Sequence, residues 1–109
     1  MQFEPDTSKE AVGNRLRAIR MARGWESGFT AQLVGVLPQS WSNYEAGKAY
    51  PSFATIAKLW QLTGATSDFI LFGNPAGMPH GLFTDLLPYL EPQPERRTPA
   101  RRRRRRSEA

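Results

Sequence analysis

Four residues in close succession carry the most distinctive side-chain chemistry of the chain: Gln39, Ser40, Ser42 and Asn43. They are short amides and hydroxyls, with no charge among them. A solvated helix face ordinarily carries Lys and Glu, so an uncharged polar strip points to another use. An amide donates and accepts at once, which matches the donor and acceptor on the edge of one adenine. A second concentration lies at the far end, where Arg101, Arg102, Arg103, Arg104, Arg105 and Arg106 follow one another without interruption. Each phosphate that such a run neutralises releases counterions.

No comparable set supports catalysis. The chain has no cysteine, so disulfides and thiolate zinc sites are excluded. The single histidine, His80, leaves little for a metal site or an imidazole catalyst and reads as a surface residue. Asp85 lies nearby in sequence, but neither a nucleophile nor a phosphate loop accompanies the two. We therefore expect no enzyme, no catalytic residue, no metal and no cofactor. No apolar run approaches the roughly 18 residues of a membrane span, so a cytoplasmic protein without a membrane partner is expected.

Charge divides the chain. Fifteen Lys and Arg stand against ten Asp and Glu in 109 residues. Eight of the arginines and a single acid fall in residues 96–109, which leaves seven bases and nine acids in residues 1–95. The body is thus near −2 and the tail near +7. A body that neutral lacks the usual basic surplus of a nucleic-acid binder. Attraction for phosphate must come from the tail or from a few well-placed residues.

The elements that must position the polar strip are short helices, and no stretch alternates as a strand would. Residues 1–7 read as a flexible leader. A first helix is expected from Ser8 to Ala22, with Val12, Leu16 and Ile19 on one stripe and Arg15, Arg17 and Arg20 largely off it. A second fits Ser27 to Val34, ended by Gly35. Its propensity is poor because Gly28 lies inside it, so packing of Trp25, Phe29 and Leu33 is expected to hold it. The third starts at Pro38 and runs to about Ala46, with Trp41 and Tyr44 on one face and Leu37 nearby. A fourth follows Pro51 and Ser52, with Ile56, Leu59, Trp60 and Leu62 as apolar positions. A fifth starts at Thr66 or Ser67. A sixth spans roughly Gly81 to Leu87, where Leu82, Phe83, Leu86, Leu87, Tyr89 and Leu90 either cover the body or form a subunit contact. All three tryptophans read as core. Six of the nine prolines lie beyond Gly73, and residues 91–109 read as disordered.

Two short helices joined through Gly35-Val36-Leu37, the second rich in amides, form a helix-turn-helix pattern. In it the second helix enters the major groove of DNA and the first braces it across the backbone. With Arg20, Gly24, Ala31, Leu33, Gly35-Val36, Tyr44-Glu45-Ala46-Gly47-Lys48, Pro51-Ser52 and Asp68-Phe69-Ile70-Leu71-Phe72-Gly73, the chain resembles the phage-repressor and Cro-type helix-turn-helix DNA-binding family over about residues 9–74. The Tyr-Glu-x-Gly-Lys ending is the most specific part.

The resemblance implies roles. Gln39, Ser40 and Asn43 would face base edges, with Ser42 marginal. Ser27, Gly47 and Lys48 would meet the DNA backbone. Arg20 would bridge to Glu45, and Trp41 and Tyr44 would be core. The chain also departs from the family pattern. Leu37 stands where the family usually has a capping Ser or Thr, Ser27 and Pro38 stand where it prefers amides, and Thr30 replaces a core leucine.

The expected architecture is all-α: a five-helix repressor-like helix-turn-helix domain at 8–74, an extension at 75–90 with an extra helix and a subunit contact, and a basic tail at 91–109. The expected function is a bacterial or phage transcriptional regulator, associated with the nucleoid. It would bind a short pseudo-palindromic operator of double-stranded DNA as a homodimer, with two recognition helices roughly 34 Å apart and Arg101 through Arg106 on phosphates. The tail has a plainer reading as a solubilising segment, and RNA, acidic proteins or anionic membrane surfaces would attract it equally. The alternative function is a helix-turn-helix scaffold serving as a protein-interaction module for an RNA polymerase subunit, a toxin or another regulator.

Overall fold

The computed structural model describes residues 4–90. Among them are six helices and no strand: α1 (Lys9–Ala22), α2 (Ser27–Val34), α3 (Pro38–Glu45), α4 (Phe53–Thr63), α5 (Ser67–Phe72) and α6 (His80–Leu90). The expectations for residues 1–3 and 91–109, including the whole arginine run, lie outside the described residues.

Three helices begin with a side-chain cap. Ser8 accepts from the Ala11 N–H, Ser52 from Thr55 and Thr66 from Phe69, each at 3.1 Å. Each bond satisfies one of the four backbone donors left open at a helix start. The starts of α2 and α3 have no side-chain cap.

α1 is the centre of the fold and packs against α3, α5 and α6. Its Val12, Leu16, Ala18 and Ile19 meet Ala31 and Val34 of α2, Trp41 of α3, Ile56 and Leu59 of α4, Phe69 and Ile70 of α5 and Leu86 of α6 in one core. The α1–α3 contact is unusually close at Gly13. A Cβ there would lie 2.5 Å from the Tyr44 carbonyl oxygen and 2.7 Å from that of Glu45. Only glycine fits, which explains a residue that costs about 1 kcal/mol of helix propensity against alanine.

Packing departs from the expected pattern in several places. Arg15 is buried rather than off the apolar stripe. It lies three residues after Val12 and four before Ile19, so the helical period places it beside both. In α2 the buried residues are Thr30, Ala31 and Val34, spaced i, i+1 and i+4. Phe29 is half-exposed and meets the Trp25 ring edge-on at 6.2 Å. Thr30, in place of a leucine, satisfies its hydroxyl by donating to the Glu26 carbonyl at 2.8 Å. Leu37 is exposed. In α4 the buried set is Thr55, Ile56, Leu59 and Thr63. Trp60 lies one position beyond that stripe and is 57% exposed, not core, and Leu62 is exposed too.

α6 is longer than expected and continues past Pro88 to Leu90, because Tyr89 and Leu90 still have core to pack on. Leu82, Phe83 and Leu86 also turn inward, with the Phe83 ring edge-on to Phe69 at 6.3 Å. Near the N-terminus, the Asp6 N–H donates to the Phe72 carbonyl at 3.4 Å, and the Tyr50 hydroxyl donates to the Thr7 carbonyl at 2.6 Å.

Candidate nucleic-acid interface

The polar strip lies on α3, and α3 is held from beneath. Trp41, fully buried, donates its indole N–H to Glu45 Oε2 at 2.5 Å. Its ring meets Tyr44 edge-on at 6.1 Å. Arg20 of α1 grips the same carboxylate with two donors, Nε to Oε2 at 2.6 Å and Nη2 to Oε1 at 3.1 Å. Its remaining Nη1 donates to the Trp25 carbonyl at 3.0 Å. One arginine thus ties the end of α3 to the segment that leads into α2. A two-pronged arginine–carboxylate pair fixes orientation as well as distance, and both side chains are largely removed from solvent.

The turn between the two helices is equally defined. Gly35 ends α2 in the left-handed conformation at φ 79°. The following Val36 N–H returns to the Ala31 carbonyl at 3.0 Å. These bonds close the helix end in the manner of a glycine C-cap, and Leu37 then leads into α3 in extended conformation.

With that support, the candidate residues fall as follows. Gln39 and Ser42 are exposed, and Ser40 and Asn43 are half-buried at the surface. Gln39 Nε2 donates to Asn43 Oδ1 at 3.0 Å across one turn of α3. Gly47 takes a left-handed conformation just after α3, and Lys48 beyond it is exposed. Ser27 is the first residue of α2 and is half-buried. α3 therefore carries Gln39, Ser40, Ser42 and Asn43 at the surface, with Gly47 and Lys48 beyond its C-terminal end. Arg101 through Arg106 lie outside the described residues.

Two features escaped the sequence reading. The first is Arg15. Its guanidinium donates to the Ile70 carbonyl at 3.1 Å and to the Asp6 carbonyl at 2.7 Å. Burial lowers its pKa, a loss partly offset by the Asp6 charge. Asp6 itself is held below the ordinary carboxylate range, first by the Ser8 backbone N–H and also by the Ser8 side chain and Arg15. The helical position of Arg15 was the available signal. The second is an open apolar groove of about 470 Å³ between α4 and α5, lined by Phe53, Ile56, Ala57, Trp60 and Leu71. Phe53 beside it is 86% exposed. Apolar residues falling outside the buried stripe of α4 were the signal there.

Among the described residues there is no cluster of three or more His, Cys, Asp or Glu able to hold a metal. None of their helices is long and apolar enough to cross a membrane.

Comparison with known proteins places the chain among helix-turn-helix proteins. A prophage-derived HTH-type transcriptional regulator of Bacillus subtilis, YonR, is 36% identical over 64 residues, covering 59% of this chain and 59% of that protein. The HTH-type transcriptional regulator AnsR of the same organism is 33% identical over 58 residues, covering 53% of this chain and 50% of AnsR. The chain thus spans between half and three fifths of the length of these curated relatives. The crystal structure of the clp gene regulator ClgR from Corynebacterium glutamicum superposes over 79% of each chain with a TM-score of 0.52 at 20% identity, a likeness of fold. Residues 11–68, more than half of the chain, match the helix-turn-helix domain family, and the protein belongs to it.

Proposed function

We propose that the protein is a DNA-binding transcriptional regulator that lays α3 in the major groove of a short pseudo-palindromic operator. The observation that carries this is the surface of α3. Four uncharged hydrogen-bonding side chains stand at it while Trp41, Glu45 and Arg20 lock the helix from below. Rigid presentation of amides and hydroxyls is what reading base edges requires, and both relatives named above are HTH-type transcriptional regulators.

Backbone contacts follow from the helix starts. α2 and α3 lack the side-chain caps that α1, α4 and α5 possess, so the early N–H groups of α2, and those of α3 that follow Pro38, are left for phosphate oxygens. Ser27 at the head of α2 and Gly47 with Lys48 after α3 complete the backbone set. The protein acts as a homodimer on the nucleoid, in the cytoplasm. The α4–α5 groove, with Phe53 standing beside it, is an apolar surface open to a second copy. The arginine run adds affinity that falls with salt and reads no sequence.

The test is enrichment of a randomised palindromic duplex library on the purified protein at about 150 mM salt. Recovery of one preferred sequence is expected, with the preference weakened by Asn43→Ala. Deletion of residues 96–109 should weaken preferred and random duplexes alike. Failure to enrich any sequence would overturn the reading in favour of a protein-interaction module.

A further inference from the structure

Gln39 and Asn43 are one helical turn apart, the spacing at which side chains on a helix surface meet. The structure joins them directly, Gln39 Nε2 donating to Asn43 Oδ1 at 3.0 Å. Resting on the reading above, we infer that the two amides act as a single prealigned unit, so that sequence preference at the two base pairs they contact is coupled.

The donor and acceptor count supports this. A primary amide has two N–H donors and a carbonyl oxygen with two lone pairs. Gln39 gives up one N–H to the bond and keeps one N–H and both lone pairs. Asn43 gives up one lone pair and keeps the other together with both N–H groups. Adenine shows the major groove one donor, N6, and one acceptor, N7. Each amide therefore still holds a full adenine-reading pair after the bond is made. Four residues of helix advance about 6 Å, close to two base-pair steps. The unit fits two A·T pairs with one base pair between them.

The bond also orders the pair before DNA arrives. Gln39 is exposed, and a long exposed amide ordinarily loses rotamer freedom on binding. Here Asn43 already holds its end, and in turn Gln39 fixes which way the Asn43 carbonyl points. Asn43 lies in sequence between Trp41 and Glu45, the two residues through which α3 is fastened, so the pair rides on a held stretch of helix.

The bond has a direction, and that makes the unit testable. Glutamate at position 39 is acceptor-only when ionised. In Gln39→Glu, Asn43 must turn its NH2 toward residue 39 and its oxygen away. Preference at the base pair facing residue 39 should move from adenine toward cytosine, whose N4 donates. Preference at the base pair facing Asn43 should weaken too, although Asn43 is unchanged.

The experiment measures affinities of the full chain for the enriched operator and its single-base variants, with wild type, Gln39→Ala, Gln39→Glu, Asn43→Ala and the double alanine variant. The expected result is that Gln39→Ala lowers discrimination at the Asn43 base pair as well as at its own. The double variant should lose less than the product of the single losses, by about threefold or more. In the DNA-free protein, 15N relaxation of the Asn43 side-chain amide should show loss of order in Gln39→Ala, with an unchanged unfolding midpoint. Independent effects, with each variant altering only its own base pair, would overturn the coupling and leave the DNA-reading function standing. A wild-type protein that enriches no sequence would overturn both.

Discussion

Arg15 and Arg20 leave the same helix five residues apart and end in opposite chemistry. Arg20 meets a carboxylate that is also held by an indole, and part of the pair still touches solvent. Arg15 donates its hydrogen bonds to the main-chain carbonyls of Asp6 and Ile70, the Asp6 charge acts on it through space, and it is the more deeply buried of the two. The first fastens α3, which carries the polar strip. The second fastens α5 and the incoming N-terminal segment. A charge partnered by a charge is costly to break from one side, because the other charge remains. A charge partnered by carbonyls leaves only dipoles behind when it goes.

Breaking the Arg20 pair should therefore have the largest effect. Arg20→Ala leaves the largely buried Glu45 carboxylate without its cation and with only the Trp41 indole donor, and urea denaturation should show a loss of about 2–4 kcal/mol, toward the lower part of the range for buried pairs because some solvent reaches it. Arg15→Met keeps the aliphatic stem and strips two carbonyls of their donor. A loss of about 1–3 kcal/mol is expected in the same measurement. A larger loss for Arg15→Met than for Arg20→Ala would invert the comparison.

Double-mutant cycles sharpen it. Arg20→Ala with Glu45→Ala should give a coupling of about 1–2 kcal/mol, whereas Arg15→Met with Asp6→Ala should give under about 0.5 kcal/mol. In the second cycle the accepting atom is the Asp6 backbone oxygen, which alanine keeps.

The smallest effect is one of pH. The Asp6 carboxyl is held below its ordinary value, foremost by the Ser8 N–H. A carboxylate depressed in the folded state contributes stability above its unfolded pKa of about 3.9 and loses it as pH falls through the folded value. Unfolding midpoints followed from about pH 5 downward should fall less steeply in Asp6→Asn than in wild type, with the difference confined below about pH 4.

The same two arginines show what the sequence could disclose. Glu45 is a rare acid at the end of an amide-rich helix, and within the Tyr-Glu-x-Gly-Lys ending its match to Arg20 was readable. The carbonyls of Asp6 and Ile70 have no such mark, since every residue carries one. The helices were legible where local signals agree: Gly35 and Pro38 bracket the turn, and Ser52 and Thr66 announce α4 and α5. What stayed hidden depended on contact between distant segments. Nothing local to Gly13 marks it as the place where the carbonyls of Tyr44 and Glu45 lie against α1. Trp60 looked like core because it is apolar, but it flanks the face of α4 that the rest of the chain covers. Pro88 did not stop α6, because Tyr89 and Leu90 still gain burial beyond it. In the candidate site, the types and positions of the strip residues were legible. The bond between Gln39 and Asn43 was not, because many i, i+4 amide pairs on exposed helices never close.

Gly13 has an engineering consequence. Because α3 leans on α1 through main-chain atoms and through Trp41 and Glu45, none of its scaffold contacts there depends on what occupies positions 39, 40, 42 or 43. Those four sites form an exchangeable cassette on a fixed mount. On the DNA-reading function proposed above, retargeting the protein to a new operator becomes a matter of rewriting four letters, with the chassis left untouched so long as position 13 stays without a side chain.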